Sequence, residues 1–206
     1  KYGASRMVVI NQMDRENANF QQTLEQLQDK YGTAVVPMQL PIMEGGFAGY
    51  VDLVKGQAYR FSGKEAQACD MPEAIQDEVE SIREQLIEGA AGAVDELMEK
   101  YFEEGELSDE EIIRGLRQGI LDGSVVPVVC ASAFENKGVI ALMDAMADYM
   151  PSPADVGPIQ AVDAKSEQAV EIQMVDDAPF TAFVFKTLSD NFVGKISIFK
   201  IYSGVM

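Results

Sequence analysis

The sequence has no histidine and no tryptophan, and its two cysteines, Cys69 and Cys130, lie far apart along 206 residues. Neither a disulfide framework nor a zinc or iron site has enough ligands, so both are excluded. Without histidine every His-assisted nucleophile also falls away, leaving carboxylates and lysine as the groups open to acid–base work. No apolar run reaches the roughly 18 residues that cross a bilayer, and no charged segment followed by an apolar stretch marks a secretory leader. A cytoplasmic protein without membrane contact is the expectation. Basic residues are scarce as well: 16 Lys and Arg stand against 34 acids, a net charge of −18. Such a surface repels nucleic-acid phosphate, so no direct grip on RNA or DNA is expected from this segment. The acidity suits either plain solvation or docking to a basic protein.

What is present is enough apolar material, 47%, to fill the core of one large domain or two small ones. In "RMVVINQMDREN", residues 6 to 17, Met7 to Ile10 are continuously apolar, as in a parallel strand covered on both faces. Phe20, Leu24, Leu27 and Tyr31 then recur at helical spacing, with Gly32 where a C-terminal cap belongs. This is a strand–loop–helix unit with Asn11 and Asp14 at the carboxyl end of the strand, the edge at which open α/β sheets bind ligands.

From about residue 34 the texture changes. "AVVPMQLPI" and "GYVDLVKGQAYRF" carry prolines, a turn at Gly56 and loose alternation, which suggest short antiparallel strands with a hairpin. Acidic helices follow. Ile75, Val79, Ile82 and Leu86 form one stripe after Pro72, residues 93–104 read as a second helix, and Ser108 with Glu111 is a capping box that opens a third. "SVVPVVCASAF", residues 124–134, returns to the buried-strand style, and Val139, Leu142, Met143, Met146 and Tyr149 mark the helix after it. The opening and this stretch therefore read as halves of one sheet interrupted by an insertion. "PSPADVGP" has the density of a linker. Beyond it "PFTAFVFKTLS" and "GKISIFKIYSG" are two alternating β segments, and a lone pair of strands hides neither its edges nor a core. Both ends of the chain are expected to be cuts through larger domains.

An Asn and an Asp three residues apart beyond a strand fit two readings. One is an Asx turn capping the next helix. The other is guanine recognition, because a carboxylate accepts from both the ring N–H and the exocyclic amine of guanine, whereas adenine places an acceptor where the ring donor should be. Charge-assisted hydrogen bonds of roughly 1.5–3 kcal/mol each would give strong base selectivity. "CASAF" ends the second buried strand, and its small residues Ser132 and Ala133 let a backbone N–H approach the base carbonyl. The order strand–NxxD, helix, strand–SA, helix is more specific than either part.

These residues carry a resemblance. "NQMDRENANF", "VVPMQLPI", "GYVDLVKGQAY", "LMEKYFEEGELSDEEI", "VPVVCASAFENKGV", "LMDAMADYMPSPADVGPI" and "FVFKTLSDNFVGKISIFKIYSG" resemble, in order and spacing, the middle of the elongation factor G family of ribosomal translocases. The resemblance implies an α/β fold: part of a P-loop-type G domain sheet with an inserted α+β subdomain, followed by the start of a β-barrel domain. Residues 1–33 and 121–150 would belong to the G domain, 34–120 to the insertion, 151–178 to a linker and 179–206 to the barrel. It assigns Asn11, Gln12, Met13, Asp14, Ser132, Ala133 and Phe134 to binding GTP or GDP. Gln12 departs from the family, which usually has lysine there, with its stem over the base and its ammonium toward the ribose and phosphate loop. No G-x-x-x-x-G-K-[ST] occurs in the sequence: "GKE" at Gly63 and "GKI" at Gly194 lack the spacing and the hydroxyl. No catalytic residue and no magnesium ligand is therefore expected here, and hydrolysis with magnesium belongs to an intact parent. The family also implies the ribosome as partner, with the acidic helix around 73–90 meeting the flexible stalk protein of the large subunit. A non-catalytic ribosome-docking module, and a specialised recycling or protection factor of the same class, remain alternatives.

Overall fold

The two continuous apolar runs become neighbouring parallel strands. In the computed structural model, which describes residues 4–206, two compact units are distinct, one ending at Met150 and the other spanning Pro151–Met206. In the first, β1 (Val8–Ile10) leads to α1 (Phe20–Tyr31). Asn19 caps that helix by accepting the Gln22 N–H at 2.9 Å, and the Gly32 N–H closes its end on the Gln28 carbonyl. Then come β2 (Val35–Pro37), β3 (Gln39–Met43), β4 (Phe47–Asp52), β5 (Gln57–Ser62) and β6 (Glu65–Cys69). Helices α2 (Gln76–Ala91), α3 (Asp95–Glu104) and α4 (Asp109–Asp122) precede β7 (Val126–Cys130) and α5 (Val139–Tyr149). Among the described residues no helix is long and apolar enough to cross a membrane.

Strand β7 is the centre of a three-stranded parallel sheet ordered β1–β7–β2, with Val8 opposite Val128 and Val35 opposite Val126. All five of its residues are buried, as its unbroken apolar text requires. Strand β1 differs from expectation. It occupies the edge of this sheet and Val9 is 37% exposed, so the strand is not covered on both faces among the described residues. Val35–Pro37 is a second correction: it belongs to the parallel sheet rather than to the antiparallel segment. Its three residues are all buried, and a run of three is too short for periodicity to tell the two kinds of strand apart. The hairpin reading holds for the next four strands, which form an antiparallel sheet ordered β3–β4–β5–β6.

One apolar core runs through both sheets and their helices. Val79, Ile82 and Leu86 of α2 enter it as their spacing implies, whereas Tyr31 of α1 stays 58% exposed. Helices α2 and α4 pack closely because Gly115 has no side chain: a Cβ there would collide with the Ala90 carbonyl oxygen. The capping box of α4 is formed in both directions, with Ser108 accepting the Glu111 N–H and Glu111 accepting the Ser108 N–H. On α5 the buried residues are Ala145 and Tyr149, while Met143 and Met146, grouped with Tyr149 by periodicity, are exposed. That helix is apolar on more than one side, so its pattern does not single out the buried face.

The second unit contains α6 (Pro153–Val156), β8 (Ile159–Val162), β9 (Ala169–Ile172), β10 (Thr181–Asp190) and β11 (Gly194–Ser203). The stretch 151–178 thus contains regular structure. A capping box of Ser152 and Asp155 opens α6, and β8 pairs with β9 as a hairpin. Its turn is held by Asp163, whose carboxylate accepts from the Lys165 and Ser166 N–H groups at 3.0 and 2.7 Å. β10 and β11 form the expected antiparallel pair.

Candidate functional site

The site begins where β1 and β7 end side by side. The Ala131 N–H donates to the Ile10 carbonyl at 3.0 Å and the Met13 N–H to the Ala131 carbonyl at 3.3 Å. These bonds carry the ladder past the strands and bring the loops at 11–14 and 131–134 into contact. Across that contact the Ala133 N–H donates to Asn11 Oδ1 at 2.9 Å, and Ser132 Oγ donates to Asp14 Oδ1 at 2.5 Å. The Ser132 hydroxyl also accepts the Glu135 N–H at 3.2 Å, so this fully buried group spends both its donor and an acceptor site.

Backbone conformation holds the two loops. Gln12 has φ 63°, an uncommon value for a residue other than glycine, and its carbonyl accepts the Arg15 N–H at 3.0 Å. Ser132 and Lys137 exchange both backbone hydrogen bonds, at 2.9 and 3.0 Å, pinching residues 133–136 into a closed loop that turns through Asn136 at φ 55°. Gly138 follows with φ 74°, and a Cβ there would lie 2.9 Å from the Cys130 carbonyl oxygen, so only glycine lets α5 start this close to the end of β7.

Asp14 is the charged centre. Its side chain is 9% exposed, and the Ser132 hydroxyl, its own backbone N–H and the charges of Arg15 and Lys137 hold its carboxyl below the usual range, against the opposing effect of burial. It is therefore a carboxylate at neutral pH. Oδ1 is occupied by Ser132, whereas Oδ2 has no side-chain partner among the described residues nearer than the Arg15 guanidinium at 3.9 Å, which leaves it able to accept from a ligand's N–H groups.

The structure brings Asn11, Asp14, Ser132 and Ala133 into one hydrogen-bonded cluster. Gln12 and Phe134 flank it at the surface, Phe134 being 88% exposed. Met13 turns inward, 1% exposed and in the core, so its share in the site is through its backbone. Three neighbours had not been singled out from the sequence: Glu135 and Lys137, which form an ion pair at 2.7 Å, and Gly138. The signal available was "NKG", whose Asn and Gly both adopt left-handed backbone.

The cluster offers a carboxylate acceptor at one sheet edge for the donor edge of guanine, but the Ser132 and Ala133 N–H groups expected to meet the base carbonyl are engaged, by the Lys137 carbonyl and by Asn11 Oδ1. Magnesium is another matter. Among the described residues no group of three or more Cys, Asp or Glu is placed to hold a metal ion.

Residues 1–152 match the family described as "Elongation factor Tu GTP binding domain". A solved crystal structure of a protein from Thermus thermophilus is similar over 98% of this chain, at 27% sequence identity and a TM-score of 0.78. The chain spans 28% of the length of that protein.

Proposed function

Since the chain belongs to the elongation factor Tu GTP binding domain family, we propose that it supplies the guanine-recognition half of a translational GTPase of the elongation factor G type. The observation that carries this reading is the coupling of Asp14 to Ser132 and of Asn11 to the Ala133 N–H across the ends of β1 and β7. Asp14 accepts from the guanine ring N–H and exocyclic amine, and the Ala133 N–H reaches the base carbonyl by sharing or leaving its bond to Asn11. Phe134 and the methylenes of Gln12 cover the exposed base. In the parent protein, hydrolysis of GTP with magnesium, using a phosphate-binding loop outside this sequence, drives ribosomal translocation in the cytoplasm.

The same reading divides the chain into a G domain portion at 1–33 and 121–150, an insertion at 34–120, a connecting stretch and the first strands of a barrel. The described part of the first portion starts at residue 4. Helix α2 offers the stalk protein its exposed acidic face, Glu80 and Glu84 among it. Stalk binding that survives charge reversal at those two positions would remove this contact. Gln12 favours a weaker hold on nucleotide than a lysine would give, because it adds no positive charge near the phosphates, and Lys137 is already neutralised by Glu135. The test of the whole reading is GTP hydrolysis by the parent protein with and without ribosomes. Ribosome-stimulated turnover is expected. Ribosome binding without turnover would favour a docking module instead.

A further inference from the structure

A cavity of about 430 Å³ lies in the first unit between α5 and the antiparallel sheet, and none of Asn11, Asp14, Ser132 and Ala133 lines it. Its size is in the range of small-ligand pockets. Three polar side chains that line it are more than nine-tenths buried: Gln39 at 5% exposed, Tyr50 at 7% and Tyr149 at 8%. Gln39 Oε1 accepts the Cys130 N–H at 3.2 Å, which fixes the carboxamide and leaves Nε2 without a protein partner. Neither phenol has a hydrogen-bond partner among the described residues. No buried side-chain nitrogen or oxygen among the described residues lacks a partner, so these three polar groups open to the solvent of the cavity, where a ligand can reach them.

The walls specify its chemistry. On one side Tyr50 and Tyr59, directly opposite each other on β4 and β5, stack with ring centroids 5.2 Å apart. On the other, α5 contributes Asp144 and Asp148, one helical turn apart on one face and in no ion pair among the described residues. Two lysines also line the cavity. Lys55 pairs with Asp52 at 3.7 Å, and the Arg117 guanidinium stands beside the helix, donating to the Asp148 carbonyl at 2.7 Å, but the lining itself carries four acids, Asp52, Glu65, Asp144 and Asp148, against the two lysines. Burial together with the charges of Asp52 and Asp144 raises the Tyr50 hydroxyl, and burial with Asp52 and Asp148 pushes Tyr149 up to about 12, which keeps both phenols protonated.

We propose that this cleft receives an arginine side chain from a basic protein segment. The planar guanidinium packs on the tyrosine pair and donates to the Asp144 and Asp148 carboxylates, while Gln39 Nε2 serves a carbonyl of the same segment. The net charge of −18 draws such a partner to the chain. The site is independent of the guanine reading.

The test is an NMR titration of the 206-residue chain with Nα-acetyl-arginine methylamide, beside the lysine compound and the neutral citrulline isostere. Saturable shifts of the Tyr50, Tyr59 and Tyr149 rings are expected with arginine, about fivefold weaker binding with lysine, and no saturation with citrulline. The double variant Asp144→Asn, Asp148→Asn should weaken arginine at least about tenfold, since each lost charge-assisted bond is worth a factor of that order. Should that variant fail to fold, Ala66→Trp, an exposed strand position on the cavity lining, blocks the cleft with the same expected loss. Citrulline binding as well as arginine, undiminished binding in either variant, or an equal loss on Glu80→Gln with Glu84→Gln would overturn the proposal.

Discussion

Asp14 is held by a hydroxyl on one oxygen and open on the other, and that asymmetry makes it testable. An amide in its place keeps an acceptor for Ser132 but presents an N–H where guanine also presents one. The Asp14→Asn variant should therefore lose about 10- to 100-fold in GDP affinity and gain for xanthosine diphosphate, whose exocyclic oxygen accepts from that amide. Competition calorimetry checks it, and an unchanged preference for guanine would count against the assignment. Asn11, Asp14, Ser132 and Ala133, named from residue types and the strands before them, come together in one cluster, since these are local signals. The chemistry of the guanine scheme makes Asn11 a tie between neighbouring loops, as its bond to the Ala133 N–H is, but it names neither that partner nor the Glu135–Lys137 pair, since both depend on how a closed loop folds back on itself.

At the scale of elements, the junction of α3 and α4 turns on Glu111. It accepts from Lys100 at 2.9 Å and from the Ser108 backbone and hydroxyl, and these bonds depress its carboxyl to about 2 against the cost of burial. A depressed folded-state value means that its stabilisation is complete above the unfolded value, near 4.5, and fades as pH falls toward about 2. The gap in urea midpoint between the wild type and Glu111→Gln should accordingly be widest at neutral pH and shrink by pH 3. A gap independent of pH would remove the ionised cap from the account. Packing gives a second outcome: Gly115→Ala drives a methyl into the Ala90 carbonyl and should cost about 1–3 kcal/mol by denaturant unfolding. A neutral result would mean that α2 and α4 part easily. Ser108 and Glu111 were readable as a cap because the motif lies within four residues. The place of β2 was not, because a parallel partner separated by most of a domain leaves no periodic trace in three residues.

At the scale of the whole molecule, strand order and covered faces are the least local properties, and they are where sequence and structure part. The continuous apolar text of β1 anticipates cover on both faces, yet Val9 is exposed. On β10 and β11 the residues Phe183, Val184, Phe185, Ile196, Phe199 and Ile201 are exposed, a large apolar area on a two-stranded sheet. Concentration-dependent self-association of this chain should follow and be visible in sedimentation velocity, and a clean monomer at high concentration would contradict it. Central to the account is that the ends of β1 and β7 form a guanine site. Calorimetric titration of the parent protein with GDP, and with ADP beside it, in magnesium tests this most directly: heat of binding with GDP and none with ADP is the result predicted, and equal binding of both nucleotides, or of neither, would contradict it.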